Sequence, residues 1–81
     1  MKFRIALGIV LRHARVGRGL TLREISKQAH IALGYLSEIE RGQKEVSSDI
    51  MFYLCEALGW SVPDVLDDVS KMMREAELVN V

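Results

Sequence analysis

Cysteine and proline are almost absent from this sequence of 81 residues, in which each occurs once, as Cys55 and Pro63. A single cysteine excludes a disulfide framework within the chain and a multi-cysteine zinc site. Aromatic residues are also scarce, at 6%, but 49% of the residues are hydrophobic, so the chain is not a disordered tail. The length allows one domain with a small core, in which Cys55 is expected to be an inert member.

Long apolar runs are missing as well. The apolar run near the start, residues 5–11, is seven residues long, whereas a membrane-spanning helix needs ~20. The basic and apolar start loosely imitates a signal peptide, but its helical pattern continues past Arg12, so we interpret it as a core helix. We therefore expect a cytoplasmic protein with no membrane partner.

The net charge of the chain is zero, but the two signs are unevenly distributed. Residues 1–46 carry nine Lys and Arg against four Asp and Glu, whereas residues 47–81 carry two against seven. This split attracts an anionic partner to the first part of the chain and repels it from the second. The alternative interpretation is that these charges are scattered over the surface and only solvated.

Apolar residues recur at helical spacing, and no sustained alternation indicates a strand. The predicted helices cover about 3–16, a segment that begins at Thr21, about 33–41, a segment that begins at Ser47 and a segment that begins at Ser61. Thr21, Ser47 and Ser61 are favourable N-cap residues, and Glu24 completes a capping box with Thr21. Glycines follow the first, third and fourth helices as stop signals.

The stretch from Gly19 to Gly42 contains two short helices joined by a tight turn, which is the arrangement that presents a helix to the major groove of DNA. The apolar Leu36 and Ile39 define the inner face of the second of these helices. Its outward positions are the candidate base contacts, namely Leu33, Gly34, Tyr35, Ser37, Glu38 and Arg41. The candidate phosphate contacts surround it, namely Thr21, Leu22 and Arg23, where backbone N–H groups are free, and Gln43 and Lys44 in the following loop.

Individual roles follow from the chemistry of these side chains. Gly34 is expected to let DNA approach the backbone, and Tyr35 to bond a phosphate or pack on a thymine methyl group. Glu38 can accept from a cytosine amino group, and Arg41 can bind guanine or a phosphate. The alternative is that Tyr35 only covers the core and that Glu38 is only solvated.

The last predicted helix carries an apolar seam with heptad-like spacing, which usually faces another helix. A small core can cover only its first half. We expect the part beyond Val69 to dock on a second copy of the chain, with fraying as the alternative. The predicted dimerisation residues are Val65, Val69, Met72, Met73, Ala76 and Val79. The predicted division is a DNA-binding domain at 1–66 and a C-terminal helical extension at 67–81.

The segment from Leu7 to Leu66 resembles the lambda-repressor-like helix-turn-helix domains of the xenobiotic-response-element type. The resemblance is carried by Gly19-Leu20-Thr21, Ile25-Ser26, Leu36-Ser37, Ile39-Glu40-Arg41-Gly42 and Ala57-Leu58-Gly59. Within that family, the runs at 21–26, 34–42 and 44–48 are similar to the Clp-gene regulators of actinobacteria.

The resemblance implies an all-α, five-helix DNA-binding domain with an extended C-terminal helix. It also implies an ion pair between Arg15 and Glu40 that ties the first helix to the third. Several positions depart from the family pattern. Ala32 stands at an N-cap where Ser or Thr is usual, which costs about 1 kcal/mol, and His30 stands in the turn where glycine is frequent. Leu22, Val46 and Leu33-Gly34 also replace residues that are common in the family.

These observations predict a non-enzymatic, sequence-specific transcriptional regulator that binds double-stranded DNA as a homodimer on a pseudo-palindromic operator. RNA polymerase is a further candidate partner, and the resemblance implies protease and chaperone genes as targets. Neither a metal nor a cofactor is predicted, because His13 and His30 lie on different elements without ligands at metal spacing. The alternatives are an antitoxin or phage-type repressor with the same fold, and a protein-interaction module that binds no DNA.

Overall fold

The computed structural model describes residues 1–79, which form five α-helices. Their bounds are α1 (Phe3–Gly17), α2 (Leu22–Ala29), α3 (Leu33–Glu40), α4 (Ser48–Leu58) and α5 (Val62–Val79). No strand occurs among residues 1–79. The predicted all-α, five-helix class is therefore confirmed.

Local polar residues start three of the helices as predicted. At α2 the Thr21 hydroxyl accepts from the Glu24 N–H at 3.1 Å, and the Glu24 carboxylate accepts from the Thr21 N–H at 2.9 Å, which completes the capping box. Ser47 and Ser61 accept in the same way from the N–H three residues further on, at 3.2 and 3.1 Å. Each of these caps satisfies a donor that a helix start leaves without a partner.

The core is a single cluster to which all five helices contribute. Helix α1 contacts both α3 and α5, and α2 contacts α3 and α4. The largest fully buried side chains are Leu7, Ile25, Leu36, Ile39, Leu54, Val65 and Val69. Full burial of such a side chain stabilises the fold by about 2 kcal/mol. The position of α3 thus depends on α1 and α2 together.

The apolar seam of α5 faces the core of its own chain over more of its length than predicted. Val65 and Val69 were expected to face a second copy, but they are 0% and 2% exposed, and that prediction is wrong for both. Met72 and Met73 are half-buried and pack against the core, and Ala76 is half-buried, whereas Val79 is exposed. Periodic spacing shows which residues share a helix face, but not whether a helix of the same chain covers that face.

The predicted domain boundary between residues 66 and 67 falls inside α5. Val69, which lies beyond that boundary, belongs to the same core as α1. The C-terminal extension is therefore a continuation of a core helix up to residue 79, and residues 80–81 of the predicted extension lie outside the described residues. No helix in the described range combines the length and apolar character that crossing a membrane requires.

Candidate nucleic-acid interface

The turn between α2 and α3 is held by bonds across it. The Ile31 N–H donates to the Ser26 carbonyl at 3.1 Å, and the Ser26 hydroxyl donates to the Ile31 carbonyl. His30 ends α2 with φ of 57°, a left-handed conformation that favours glycine, so the structure places this histidine in the strained position of the turn. These contacts fix the angle at which α3 leaves α2.

Helix α3 has one buried and one open face. Leu36 and Ile39 are buried in the core, whereas Leu33, Gly34 and Arg41 are exposed. The three remaining predicted base contacts are half-buried, namely Tyr35, Ser37 and Glu38. The helix starts at Ala32 without a side-chain cap, so the N–H groups of its first turn remain available to an outside acceptor. The exposed start of α3 thus combines free N–H groups with the bare backbone at Gly34.

Gly34 is the barest point of that face. A Cβ atom built on it meets no atom within 4 Å, so the packing of this chain does not require glycine there. A glycine in a helix interior costs roughly 1 kcal/mol relative to alanine. The missing side chain therefore has its only visible use in leaving the outer surface of α3 open to another molecule.

Tyr35 is placed differently from the prediction. Its ring is half-buried against the core, and its hydroxyl donates to the Glu45 carbonyl at 3.0 Å. Because a tyrosine hydroxyl has one proton, the predicted bond from this group to a phosphate is not available in this conformation. Tyr35 instead joins α3 to the loop that follows it.

The structure brings Arg15 and Glu40 together in a forked pair. The Arg15 Nε lies 2.8 Å from Glu40 Oε2 and the Nη2 lies 3.0 Å from Oε1, while Nη1 donates to the Leu20 carbonyl at 2.9 Å. The two side chains are only 12% and 6% exposed. The hydrogen bond to Glu40 raises the pKa of Arg15, so the guanidinium stays charged. The pair connects the end of α1 to the end of α3.

Gly8 is a residue that the sequence analysis missed. A Cβ on Gly8 would lie 2.5 Å from the Ile39 carbonyl oxygen and 2.7 Å from the Glu40 carbonyl oxygen. Both are backbone atoms of α3, so the absence of a side chain at Gly8 is what allows α1 and α3 to approach. The available signal was a glycine inside an otherwise amphipathic helix, which usually has a packing reason.

At the start of α2, the phosphate-binding groups are fewer than predicted. The Thr21 N–H donates to Glu24 in the capping box, so the expectation that this N–H is free is wrong, whereas the Thr21 hydroxyl only accepts there and keeps its proton for a phosphate. The N–H groups of Leu22 and Arg23 and the exposed Arg23 side chain remain candidates. The backbone and side-chain hydrogen bonds of Thr21 lower the pKa of Glu24, which keeps a negative charge beside them.

The loop at residues 41–47, here called the 41–47 loop, carries the other predicted phosphate contacts. Gln43 and Lys44 are both exposed on it. The Lys44 ammonium lies 3.9 Å from a carboxylate oxygen of Glu38 on α3, a contact too long and exposed to fix it firmly. Lys44 is thus free to turn toward an anion.

The basic and the acidic parts of the sequence lie in different helices of the fold. The basic part, residues 1–46, contains α1, α2 and α3, and the acidic part contains α4 and α5. The open face of α3 therefore belongs to the half of the chain that attracts anions. Among the described residues no group of three or more His, Cys, Asp or Glu side chains is arranged to hold a metal ion.

The fold and this face define the class of the protein, a helix-turn-helix protein. The family described as "Helix-turn-helix domain" matches residues 6–68, and the chain belongs to that family. This finding confirms the family resemblance stated from the sequence.

Two curated transcriptional regulators and one crystal structure are similar to this chain. The chain is 49% identical over 74 residues to the transcriptional regulator ClgR of Mycobacterium tuberculosis, covering 91% of this chain and 66% of that relative. It is 39% identical over 59 residues to the HTH-type transcriptional regulator DdrOP3 of Deinococcus deserti, covering 73% and 46% of the two chains. The crystal structure of the clp gene regulator ClgR from Corynebacterium glutamicum matches with a TM-score of 0.94 and 44% identity, over 99% of this chain and 85% of the other.

These relatives confirm the predicted similarity to actinobacterial Clp-gene regulators. The chain spans about two thirds of the length of the curated ClgR relatives that it matches and less than half of DdrOP3. The activities of the whole relatives therefore enter only as proposals for this chain.

Proposed function

We propose that this chain is a sequence-specific transcriptional regulator that binds double-stranded DNA with α3 in the major groove. The observation that carries the proposal is the outer face of α3, which is exposed and bare at Gly34 and lies in the basic half of the chain. A helix enters the major groove when its outer face can approach the base edges closely, with its N-terminal residues nearest to them.

The proposed base contacts follow one another along α3 and differ in how exposed they are. Leu33 and Gly34 lie at the exposed start of α3, where apolar contact with a thymine methyl group is possible. Ser37 and Glu38 follow one turn later, half-buried. Arg41 caps the other end of α3, where its exposed guanidinium suits either a guanine or a phosphate.

The proposed phosphate contacts lie on both sides of α3. Arg23 and the N–H groups at the start of α2 supply one group, and Gln43 and Lys44 supply the other. Phosphate contacts of this kind set the register of α3 on the duplex without selecting a sequence.

We propose Clp protease and chaperone genes as targets, because the relatives at 44–49% identity are described as Clp-gene or ClgR regulators. We further propose a homodimer, joined through the apolar surface that α5 leaves open. That surface includes the exposed Leu66, with Phe3 and Met73 in the groove beside it. A two-fold dimer would bring the same surface of both copies into contact, so that each apolar patch would cover the other.

The proposed function places the chain in the cytoplasm and keeps RNA polymerase as a candidate partner of the regulator on its promoter. It also predicts an operator with two half-sites about one helical turn apart, because a two-fold dimer requires matching symmetry in the DNA.

Selection of bound duplexes from random DNA, followed by salt titration of the selected duplex, tests this function. We expect enrichment of a two-fold symmetric site, with affinity falling by about 10³-fold or more between 50 and 200 mM salt if six or more phosphates are held. Enrichment of a single half-site would contradict the homodimer. No enrichment and a flat salt response would contradict DNA binding and favour the protein-interaction alternative.

A further inference from the structure

The 41–47 loop is fastened at two points by residues from outside it. On one side, Arg4 of α1 donates from Nε to the Gly42 carbonyl at 3.0 Å and from Nη1 to a Glu45 carboxylate oxygen at 3.4 Å. On the other side, the Tyr35 hydroxyl of α3 donates to the Glu45 carbonyl at 3.0 Å.

The backbone at the start of the 41–47 loop is also held in one conformation. Gly42 is buried with φ of 72°, and a Cβ atom there would lie 3.0 Å from the Cα of Ile5. The Gly42 N–H donates to the Ile39 carbonyl at 3.0 Å, and the Gln43 N–H donates to the Glu38 carbonyl at 2.9 Å. These bonds close the end of α3 and set the direction in which the loop leaves it.

Between the two fastened points, Gly42 and Glu45, lie Gln43 and Lys44, both exposed. Their backbone is therefore held while their side chains point into solvent. A contact group that is already ordered loses less conformational entropy on binding than a mobile one.

We propose that Arg4 and Tyr35 are positioning residues, which hold the 41–47 loop so that Gln43 and Lys44 meet a DNA phosphate. The proposal rests on the proposed function. Tyr35 acts through the Glu45 carbonyl and makes no base contact. Arg4 acts through the carbonyl of Gly42 and the side chain of Glu45.

Tyr35→Phe is the matching test, because it removes the hydroxyl and keeps the ring that packs on the core. Without DNA, we expect faster hydrogen exchange at the Gln43 amide, which donates to the Glu38 carbonyl. With the selected duplex, we expect affinity to fall about fivefold, the effect of about one hydrogen bond. The preference for the selected duplex over a scrambled one should not change, because a phosphate contact weakens all sequences equally.

Lys44→Ala provides the second arm of the test. If Tyr35 acts through the loop, Tyr35→Phe costs less than about twofold in a chain that already lacks the Lys44 ammonium, because the two effects share one contact. Arg4→Met should increase exchange at the same Gln43 amide. Tyr53→Phe, in the exposed tyrosine of α4, is the control and should change neither exchange nor affinity.

Three results would overturn the proposal: unchanged exchange in Tyr35→Phe, a changed sequence preference, or full additivity with Lys44→Ala. A changed sequence preference would assign Tyr35 to base contact, and full additivity would show that Tyr35 acts independently of Lys44. If the chain binds no duplex at all, the proposed function fails together with the phosphate role of the loop. The exchange rates then report separately whether Arg4 and Tyr35 hold the loop.

Discussion

Replacing Gly8 with alanine should lower the free energy of unfolding by about 3 kcal/mol, the upper range for forcing an extra methyl group into a packed interior. The added Cβ would lie 2.5 and 2.7 Å from the carbonyl oxygens of Ile39 and Glu40. These atoms belong to the backbone of α3, so the contact is relieved only if α1 and α3 separate. The separation would disturb the packing of Leu7 as well as the Arg15–Glu40 pair.

The loss of stability expected for Gly8→Ala is opposite in sign to the usual effect of replacing glycine with alanine in a helix. In an exposed helix interior, glycine-to-alanine replacement stabilises by about 1 kcal/mol. Gly17→Ala is the matched control, since Gly17 ends the same helix and a Cβ there meets nothing within 4 Å. Urea denaturation of the two variants beside the parent chain measures the difference. A Gly8→Ala variant as stable as Gly17→Ala would show that α1 and α3 are further apart than described.

Replacing Glu40 with alanine should cost about 3–5 kcal/mol, because it leaves the Arg15 guanidinium buried without its carboxylate. Arg15 is only 12% exposed in its side chain, so water cannot replace the lost partner fully. The double variant Arg15→Met, Glu40→Met should recover much of that loss, because removing both charges leaves no unpaired ion in the interior.

A denaturation double-mutant cycle measures this coupling between Arg15 and Glu40. Glu45→Ala is the control, because its ion pair with Arg4 is more exposed, at 34% and 80% of the two side chains, and should be worth less than about 1 kcal/mol. Additive effects of the two single replacements at Arg15 and Glu40 would contradict a buried pair that ties α1 to α3.

The sequence predicted the features that depend on neighbouring residues. The capping box of Thr21 and Glu24 and the caps at Ser47 and Ser61 are formed within four residues, so composition and spacing suffice to find them. The family resemblance, rather than the local sequence, marked His30 as a residue that stands where glycine is frequent, and its φ of 57° agrees with that comparison.

Features that depend on distant pairs were missed. The Gly8 approach involves two helices that are about thirty residues apart, and no pattern within α1 specifies which backbone comes close. The same reason explains the error at Val65 and Val69, whose spacing shows an apolar face but not that α1 lies near it. The hydroxyl of Tyr35 was assigned to DNA because its partner is a backbone carbonyl ten residues away.

Without disturbing the fold, one variant tests whether the open outer face of α3 meets DNA. Gly34→Ala adds a methyl group where no atom of residues 1–79 lies within 4 Å, so stability should be unchanged or slightly higher. If the backbone of α3 approaches the base edges at Gly34, the methyl group should weaken binding of the selected duplex by about tenfold or more, which corresponds to about 1.4 kcal/mol.

The measurement is the affinity of the parent chain, Gly34→Ala and Gly17→Ala for that duplex at one salt concentration. We expect that only Gly34→Ala loses affinity, and that both variants unfold at the same urea concentration as the parent chain or at a higher one. Parent-like binding by Gly34→Ala would contradict the claim that this face of α3 lies in the groove.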